Sequence, residues 1–300
     1  MKDKYLIGFI GLGIMGKPMA VNLLKKGYEL FVYDLGADKV EYLVTQGAHR
    51  APSLDEIGSK CNVIITMLPN SADVARVVND TSFYSSLKEG TIFIDMSSID
   101  PLVSKELSNK LEKIGVIMLD APVSGGEPKA ISADLAIMVG GNKDDFVEVE
   151  GILSCMGSSV KYVGEIGSGN VTKLANQIIV AVNIAAICEA YTLAKKAGVD
   201  PEKVYDAINS GLAGSTVMTA KSPMIFEGNF NPGFKIDLHL KDLNNVHEAA
   251  KNLEVPLPLG STVLNMLKTL MVQGSAKDDH SAIAKYYQTI SGVDLTNKND

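Results

Sequence analysis

The sequence has few cysteines, and they are widely separated. Cys61, Cys155 and Cys188 are the only three in 300 residues, and no C-x-x-C pair occurs. An odd number of scattered cysteines argues against a disulfide framework and fits a reducing compartment. Residues 1–4 carry mixed charge, and the apolar run 5–10 that follows leads into a glycine-rich turn and not into a small-residue cleavage site, which is unlike a cleavable signal. We therefore expect a cytoplasmic protein.

Charge clusters and long apolar runs are also lacking. The formal net charge is −7, from 28 basic and 35 acidic side chains. No block of five or six like charges occurs, which argues against nucleic-acid binding. The most apolar stretch, residues 178–194, is interrupted by Asn183 and Glu189 and predicts a buried helix and not a membrane span. The four histidines, His49, His239, His247 and His280, lack metal-ligand spacing, so no metal site is expected.

Strand and helix patterns alternate in the first half of the chain. Short β-branched runs occupy residues 5–10, 29–33, 63–67, 91–96, 116–119, 136–139 and 160–162. Helical patterns alone follow, at residues 170–196, 201–209, 237–252, 262–273 and 281–289. This order predicts an α/β N-terminal domain with a Rossmann-type doubly wound sheet in residues 1–164. An all-α C-terminal domain for substrate binding and oligomerisation is predicted in residues 165–300.

A glycine-rich turn follows the first predicted strand and precedes a helical pattern. The residues assigned to cofactor binding in this turn are Gly11, Leu12, Gly13, Ile14, Met15 and Gly16. In such a G-x-G-x-x-G turn, the first glycine permits a tight bend and the second lets the backbone approach a pyrophosphate. The third allows the helix to pack closely on the strand. The free N–H groups of the helix N-terminus then face the phosphates. The turn predicts a dinucleotide site.

Asp34 ends the second predicted strand, about twenty residues after the glycine turn. An acidic residue at this distance accepts hydrogen bonds from a ribose 2′-hydroxyl. The following Leu35 and Gly36 offer no arginine for a 2′-phosphate, and Lys39 is the only nearby basic residue. The pattern therefore favours NAD over NADP, with NADP possible.

Further motifs resemble those of the β-hydroxyacid dehydrogenase family, which includes 3-hydroxyisobutyrate dehydrogenases. They are FIGLGIMGKPM at 9–19, DAPVSGGEPKA at 120–130, GEIGSGNVTKLANQ at 164–177 and KDLNN at 241–245. Within the family, ITMLPNS at 65–71, DMSSI at 95–99, GLAGSTV at 211–217 and IDLHLKDL at 236–243 look most like tartronate semialdehyde reductases. The resemblance covers essentially the whole chain. It implies NAD(H)-dependent reduction of a small carboxylate aldehyde, expected to be tartronate semialdehyde reduced to glycerate.

Lys173, Asn176 and Gln177 share one face of a long apolar helix, because they are three and four residues apart. A lysine among apolar residues loses solvation, which lowers its pKa toward the range useful for proton transfer. The alternative is a lysine that extends from the helix end into water. The resemblance implies that Lys173 is the catalytic acid and base. The family pattern has asparagine four residues after the lysine, where this chain has Gln177, so either Asn176 or Gln177 contacts substrate.

Ser124, Gly125 and Gly126 form a small polar turn. A hydroxyl and two unobstructed N–H groups suit a carboxylate, although an ordinary glycine turn has the same composition. The resemblance implies that these residues bind the substrate carboxylate.

The remaining candidate residues also come from the resemblance. It implies that Lys241 reaches the nicotinamide side of the cofactor and that Phe234 and Asp242 border the substrate, whereas a solvated ion pair is the alternative for Lys241 and Asp242. His239, in the same segment, is interpreted as a structural histidine. The positions that match family residues beside the cofactor, otherwise ordinary turn or cap residues, are Leu68, Pro69, Asn70 and Ser98.

The sequence also allows two other functions. One is a different substrate of the same family, such as 3-hydroxyisobutyrate, 2-(hydroxymethyl)glutarate, succinic semialdehyde or glyoxylate. The other is a nicotinamide-binding redox sensor without catalysis. The long helix near Asn170 is apolar nearly all round, which predicts packing against another subunit in a dimer or tetramer.

Overall fold

The computed structural model describes residues 5–297, and its contacts divide the chain into two units, Met1–Lys173 and Leu174–Asp300. The first unit alternates strands and helices around two hydrophobic clusters, and the second is helical around one cluster. The predicted fold class is confirmed. The two units meet between Lys173 and Leu174, inside the continuous helix Ser168–Lys196. The domain boundary after residue 164 therefore stays a prediction.

The described residues of the first unit form one nine-stranded sheet. Its strands are β1 (Leu6–Ile10), β2 (Glu29–Tyr33), β3 (His49–Arg50), β4 (Val63–Thr66), β5 (Ile92–Asp95), β6 (Ile117–Asp120), β7 (Val123–Ser124), β8 (Ala136–Gly140) and β9 (Ser159–Gly164). The order is β3-β2-β1-β4-β5-β6-β8-β7, with β9 also on β8. Strands β1 to β6 pair in parallel, whereas β8 runs antiparallel to β6 and β7.

Helices cover both faces of this sheet. They are α1 (Gly16–Lys25), α2 (Ala37–Thr45), α3 (Leu54–Lys60), α4 (Ser71–Asn79), α5 (Thr81–Ser86), α6 (Pro101–Glu112), α7 (Gly126–Ile131) and α8 (Lys143–Leu153). In β4, Val63 and Ile65 belong to one buried cluster and Ile64 to the other. Burial on both faces explains why these strands are continuous apolar runs without alternation.

The strand order reverses between β1 and β4, which lie side by side. Ligands of open α/β sheets bind outside the carboxyl ends of the strands at such a reversal. The glycine turn follows β1 at this edge, and Thr66, Asp95 and Asp120 end the neighbouring strands β4, β5 and β6. The sheet therefore brings together residues that are far apart in the chain.

The helical part contains α9 (Ser168–Lys196), α10 (Pro201–Ile208), α11 (Thr216–Glu227), α12 (Ile236–Asn252), α13 (Pro258–Val272) and α14 (Ile283–Ser291), with a 3₁₀ turn at His280–Ala282. Five of these helices match predicted patterns. Helix α11 was not predicted, and Pro223 in its interior is the physical reason, because proline removes a helical hydrogen bond. The two-residue strands β3 and β7 were also missed, since they are too short to show a period.

Helix α9 has the length and apolar composition that a membrane span requires, with 39% of its most apolar window buried. Core helices of soluble proteins have the same properties, so this feature is weak evidence for a membrane.

Candidate active site

The glycine turn has a different steric constraint at each glycine. Gly11 has φ +98°, and a Cβ there would collide with the Met67 carbonyl oxygen. A Cβ on Gly16 would collide with the Gly11 carbonyl oxygen, so helix and turn are in close contact. A Cβ on Gly13 would have no heavy atom within 4 Å, which leaves open space in front of the backbone. This arrangement fits a pyrophosphate approaching the second glycine.

Asp34 is joined to the glycine turn by hydrogen bonds. Its Oδ2 accepts the Leu12 N–H at 2.7 Å, and its Oδ1 accepts the Gly36 N–H at 2.7 Å and lies 3.2 Å from Lys39 Nζ. Burial raises the pKa of Asp34, but these donors outweigh it, so the pKa is lowered overall. The carboxylate is therefore held ionised at the end of β2, where it suits the hydroxyls of an adenosine ribose.

The four other cofactor-side candidates follow β4 and β5. Asn70 caps α4, since its Oδ1 accepts the Asp73 N–H at 2.9 Å. The Leu68 N–H donates to Ser97 Oγ at 2.9 Å, which ties the two loops together. Pro69 lies between Leu68 and Asn70 after β4, and Ser98, after β5, follows Ser97 in the chain and is half-buried. All four lie beyond the carboxyl edge of the sheet.

Asp95 is a buried carboxyl group that the sequence analysis missed. Its Oδ1 accepts hydrogen bonds from Thr66 Oγ1 at 2.8 Å and the Ser97 N–H at 3.1 Å. Its Oδ2 is buried with no hydrogen-bond partner among the described residues. Burial raises the pKa of Asp95 to about 6, despite these donors.

We expect Asp95→Asn to change how stability depends on pH. A folded-state pKa of about 6 against 3.8 means that the native form resists ionisation. Wild-type stability from this group is therefore full below about pH 4 and is lost as pH rises through 6, by on the order of 3 kcal/mol. The variant does not titrate, so its advantage over wild type grows between pH 4 and 7. Urea denaturation across this range measures the difference.

The matched control is Asp206→Asn, which changes an exposed carboxylate on α10. The free energy of unfolding of this control, plotted against pH, should run parallel to that of the wild type. An Asp95→Asn curve that also runs parallel to wild type would show that Asp95 is ionised without cost.

The Ser124 turn connects β7 to α7. Ser124 ends β7 and is half-buried, while Gly125 and Gly126 have φ values of +142° and +70°. A Cβ on Gly125 would lie 2.7 Å from the Lys129 Cβ, so only glycine fits there. The backbone N–H groups are consequently not covered by side chains of their own residues.

The first turn of α9 is anchored to the sheet by Asp120. Asp120 is fully buried, and its two carboxylate oxygens accept the Gly167 and Asn170 N–H groups, each at 2.7 Å. The Asn170 side chain accepts the Ile99 N–H at 3.0 Å and donates to Ser104 at 3.2 Å. These bonds satisfy N–H groups that a helix start leaves open.

Lys173 follows on the second turn of α9 and is only 5% exposed. A lysine ammonium is rarely buried so completely, because it loses its hydration. The burial agrees with the expected loss of solvation and disagrees with the alternative, in which the side chain extends into water.

In the helical unit, Gln177 is at the centre of a polar cluster. Its Nε2 donates to Asp242 Oδ2 at 2.6 Å, and its Oε1 accepts the Asn176 Nδ2 at 2.9 Å. Asp242 is buried, and its Oδ1 lies 3.0 Å from Lys241 Nζ. Lys241 and Asp242 are therefore not a solvated surface pair. Phe234 is half-buried in the same unit and contacts the rings of His239 and His280.

No group of three or more histidine, cysteine, aspartate or glutamate side chains within residues 5–297 is arranged to hold a metal ion.

Comparisons with known proteins match the chain along its length. Residues 6–164 match the NAD binding domain of 6-phosphogluconate dehydrogenase, and residues 167–287 match the NAD-binding domain of NADP-dependent 3-hydroxyisobutyrate dehydrogenase. A 2-hydroxy-3-oxopropionate reductase of Escherichia coli is 40% identical over 96% of this chain and 99% of its own. The mitochondrial 3-hydroxyisobutyrate dehydrogenase of Mus musculus is 37% identical over 95% of this chain and 88% of its own. A solved Mycobacterium tuberculosis 3-hydroxyisobutyrate dehydrogenase with L-serine has a TM-score of 0.88 at 30% identity, covering 94% of this chain and 98% of its own.

Proposed function

The chain belongs to the β-hydroxyacid dehydrogenase family of NAD(P)-dependent oxidoreductases, and we propose that it reduces tartronate semialdehyde (2-hydroxy-3-oxopropanoate) to glycerate with NADH. The observation that carries this proposal is that Asp120 is connected to both the Ser124 turn, along the chain, and the start of α9, through hydrogen bonds. Asp120 begins the segment that reaches Ser124, and its carboxylate holds the first turn of the helix that carries Lys173. The segment that leads to the proposed carboxylate-binding turn therefore begins at the same buried residue that anchors the helix of the proposed proton donor.

In this proposal the Ser124 hydroxyl and the Gly125 and Gly126 N–H groups bind the substrate carboxylate. NADH supplies the hydride when it is bound. Protonated Lys173 donates a proton to the carbonyl oxygen as the alcohol forms. In the reverse direction, neutral Lys173 accepts that proton from the hydroxyl group.

Asn176 is the better candidate for the amide that contacts substrate. Both ends of the Gln177 amide already bond within the helical unit, to Asp242 and Asn176. Asn176 uses its Nδ2 in this contact, which leaves its Oδ1 to accept a hydrogen bond from substrate or ammonium. We assign Gln177 the role of holding Asn176 and Asp242 in place. Phe234 and Asp242 are proposed to border the substrate, and Lys241 to approach the cofactor.

A panel of small aldehydes assayed with NADH and NADPH, and of hydroxyacids assayed with NAD⁺ and NADP⁺, tests the substrate. We expect the highest kcat/KM for tartronate semialdehyde with NADH, and the E. coli relative supports this choice. A higher value for 3-hydroxyisobutyrate, 2-(hydroxymethyl)glutarate, succinic semialdehyde or glyoxylate would replace this substrate and keep the family. A cytoplasmic location is part of the proposal, and cell fractionation tests it.

We expect Asp34→Ser to move cofactor preference from NADH toward NADPH. The change removes a carboxylate that accepts ribose hydroxyls and would repel a 2′-phosphate, and it releases Lys39 to bind that phosphate. The KM for NADH should rise about tenfold, and the NADPH to NADH ratio of kcat/KM should rise at least about tenfold. Asp38→Ser, at an exposed position on α2, should leave the ratio unchanged. An unaltered ratio in Asp34→Ser would remove Asp34 from cofactor selection.

We also propose that α9 packs against a second copy of the chain. Exposed apolar side chains recur along one side of the helix, at Ala175, Ile179, Ala186, Ala190 and Leu193. Ile179 is 63% exposed and lines a groove with Val182 and Leu259. An apolar face of this length is rarely left in water.

Ile179→Glu should shift the protein toward monomer, because burying a carboxylate in an apolar contact is costly. Light scattering coupled to size exclusion measures the mass. Val147→Glu, at a position 60% exposed on α8, is the matched control and should keep the wild-type mass. If Ile179→Glu also keeps that mass, this face of α9 is not the interface.

A further inference from the structure

The helical unit contains two buried imidazoles in direct contact. His239 on α12 is fully buried, and His280 in the 3₁₀ turn is 5% exposed. Their Nδ1 atoms lie 2.9 Å apart, and the two ring centroids are 4.9 Å apart. Since two N–H groups cannot face each other at this distance, one Nδ1 donates and the other accepts.

The neighbouring contact sets the direction of this bond. His239 Nε2 lies 3.4 Å from the backbone carbonyl oxygen of Gln177, which can only accept. His239 Nε2 therefore carries the hydrogen, and in a neutral ring its Nδ1 is then the acceptor. It follows that His280 Nδ1 donates to His239 Nδ1.

Both imidazoles pack against the ring of Phe234. The centroid of the Phe234 ring lies 5.7 Å from His239 and 5.4 Å from His280, at interplanar angles of 67° and 66°. The Phe234 backbone N–H donates to Asp279 Oδ2 at 3.0 Å, and its carbonyl oxygen accepts the backbone N–H of His280 at 2.9 Å. Asp279 is fully buried and pairs with Lys221 Nζ at 2.9 Å. The backbone and the ring of Phe234 are thus held from separate directions.

We propose that His239 and His280 are positioning residues that hold the Phe234 ring in the orientation that substrate binding requires. The inference rests on the proposed function, in which Phe234 borders the substrate. Neither imidazole takes or gives a proton in the reaction. Their loss frees the two side-chain torsions of Phe234, so the enzyme must order this ring when substrate binds. The effect therefore falls on the KM for the aldehyde.

Three variants separate positioning from general stability. His280→Ala removes the ring and the donor. His280→Asn keeps a donor near the place of Nδ1. His247→Ala is the matched control on α12, because His247 bonds the Leu243 carbonyl and Ser261, with no contact to Phe234 among the described interactions.

We expect His280→Ala to raise the KM for tartronate semialdehyde about tenfold, with kcat within roughly threefold and the KM for NADH unchanged. His280→Asn should return the aldehyde KM to within roughly threefold of wild type, and His247→Ala should leave it unchanged. The inference is overturned if folded His280→Ala has a wild-type KM, if His247→Ala raises KM equally, or if His280→Asn gives no recovery.

A ¹⁹F NMR measurement tests the same contact without turnover. Protein labelled with 4-fluorophenylalanine gives a Phe234 signal that is identified by its loss in Phe234→Leu. This signal should shift and sharpen in His280→Ala, as the ring becomes mobile, and return in His280→Asn. If tartronate semialdehyde is not a substrate, the proposed function fails, yet the NMR result still decides whether the imidazoles hold Phe234. An unchanged signal in His280→Ala would overturn the inference itself.

Discussion

Replacing Lys173 with alanine is expected to lower kcat by 10²- to 10⁴-fold, the usual range for loss of a general acid. The physical reason is that no proton then reaches the carbonyl oxygen from a buried position on α9. Alanine is a good helix former, and the change removes a buried ammonium, so the fold should persist. Steady-state kinetics and NADH titration measure kcat and cofactor affinity, and the affinity should change little.

Lys196→Ala is the matched control for this prediction. Lys196 is exposed at the last residue of the same helix, so its removal should leave kcat unchanged. The pH dependence of kcat should also flatten in Lys173→Ala, because the group that must be protonated for reduction is gone. Near-normal kcat in a folded Lys173→Ala protein would contradict the assignment of this residue as the acid.

Local sequence signals predicted the parts of the site that one short segment builds. Gly11, Gly13, Gly16 and Asp34 belong to one strand–turn–helix–strand unit, so their spacing alone determines where they meet. The spacing of Lys173 and Gln177 likewise places both on the buried side of α9. The period of a helix or strand predicts which of its own residues share a face, but it does not predict which other segments that face contacts.

The residues that the sequence analysis missed depend on contacts between distant segments. Asp120 lies 47 and 50 residues before its partners Gly167 and Asn170, and Asp95 lies 29 residues after its partner Thr66. No periodic pattern connects residues so far apart. Two signals for Asp120 were available: it begins the motif at 120–130, and it follows the apolar run of β6 directly, where a buried carboxylate needs compensating donors.

Asp120→Asn is expected to produce the second large effect, on stability and on turnover together. The carboxylate accepts two backbone N–H groups at the start of α9, and an amide accepts through one atom only while its NH₂ group faces the other donor. Leaving a buried N–H without a partner costs about 1–3 kcal/mol. Burial raises the pKa of Asp120, so removing its charge relieves a desolvation penalty and offsets part of this cost. Urea denaturation should show a net loss of roughly 1–2 kcal/mol.

Turnover should also fall, because Lys173 lies on the second turn of the helix that Asp120 anchors. A displacement of about 1 Å in a catalytic group is enough to cost on the order of 10²-fold in rate. Asp200→Ala is the matched control: it removes a capping carboxylate from α10, where Oδ1 accepts the Glu202 N–H, and should cost about 1 kcal/mol of stability with kcat unchanged. Assays run well below the melting temperature keep both variants folded. If Asp120→Asn is destabilised but retains wild-type kcat, α9 positions Lys173 without this anchor. The hydrogen bonds of Asp120 to the start of α9 would then no longer support the proposed function.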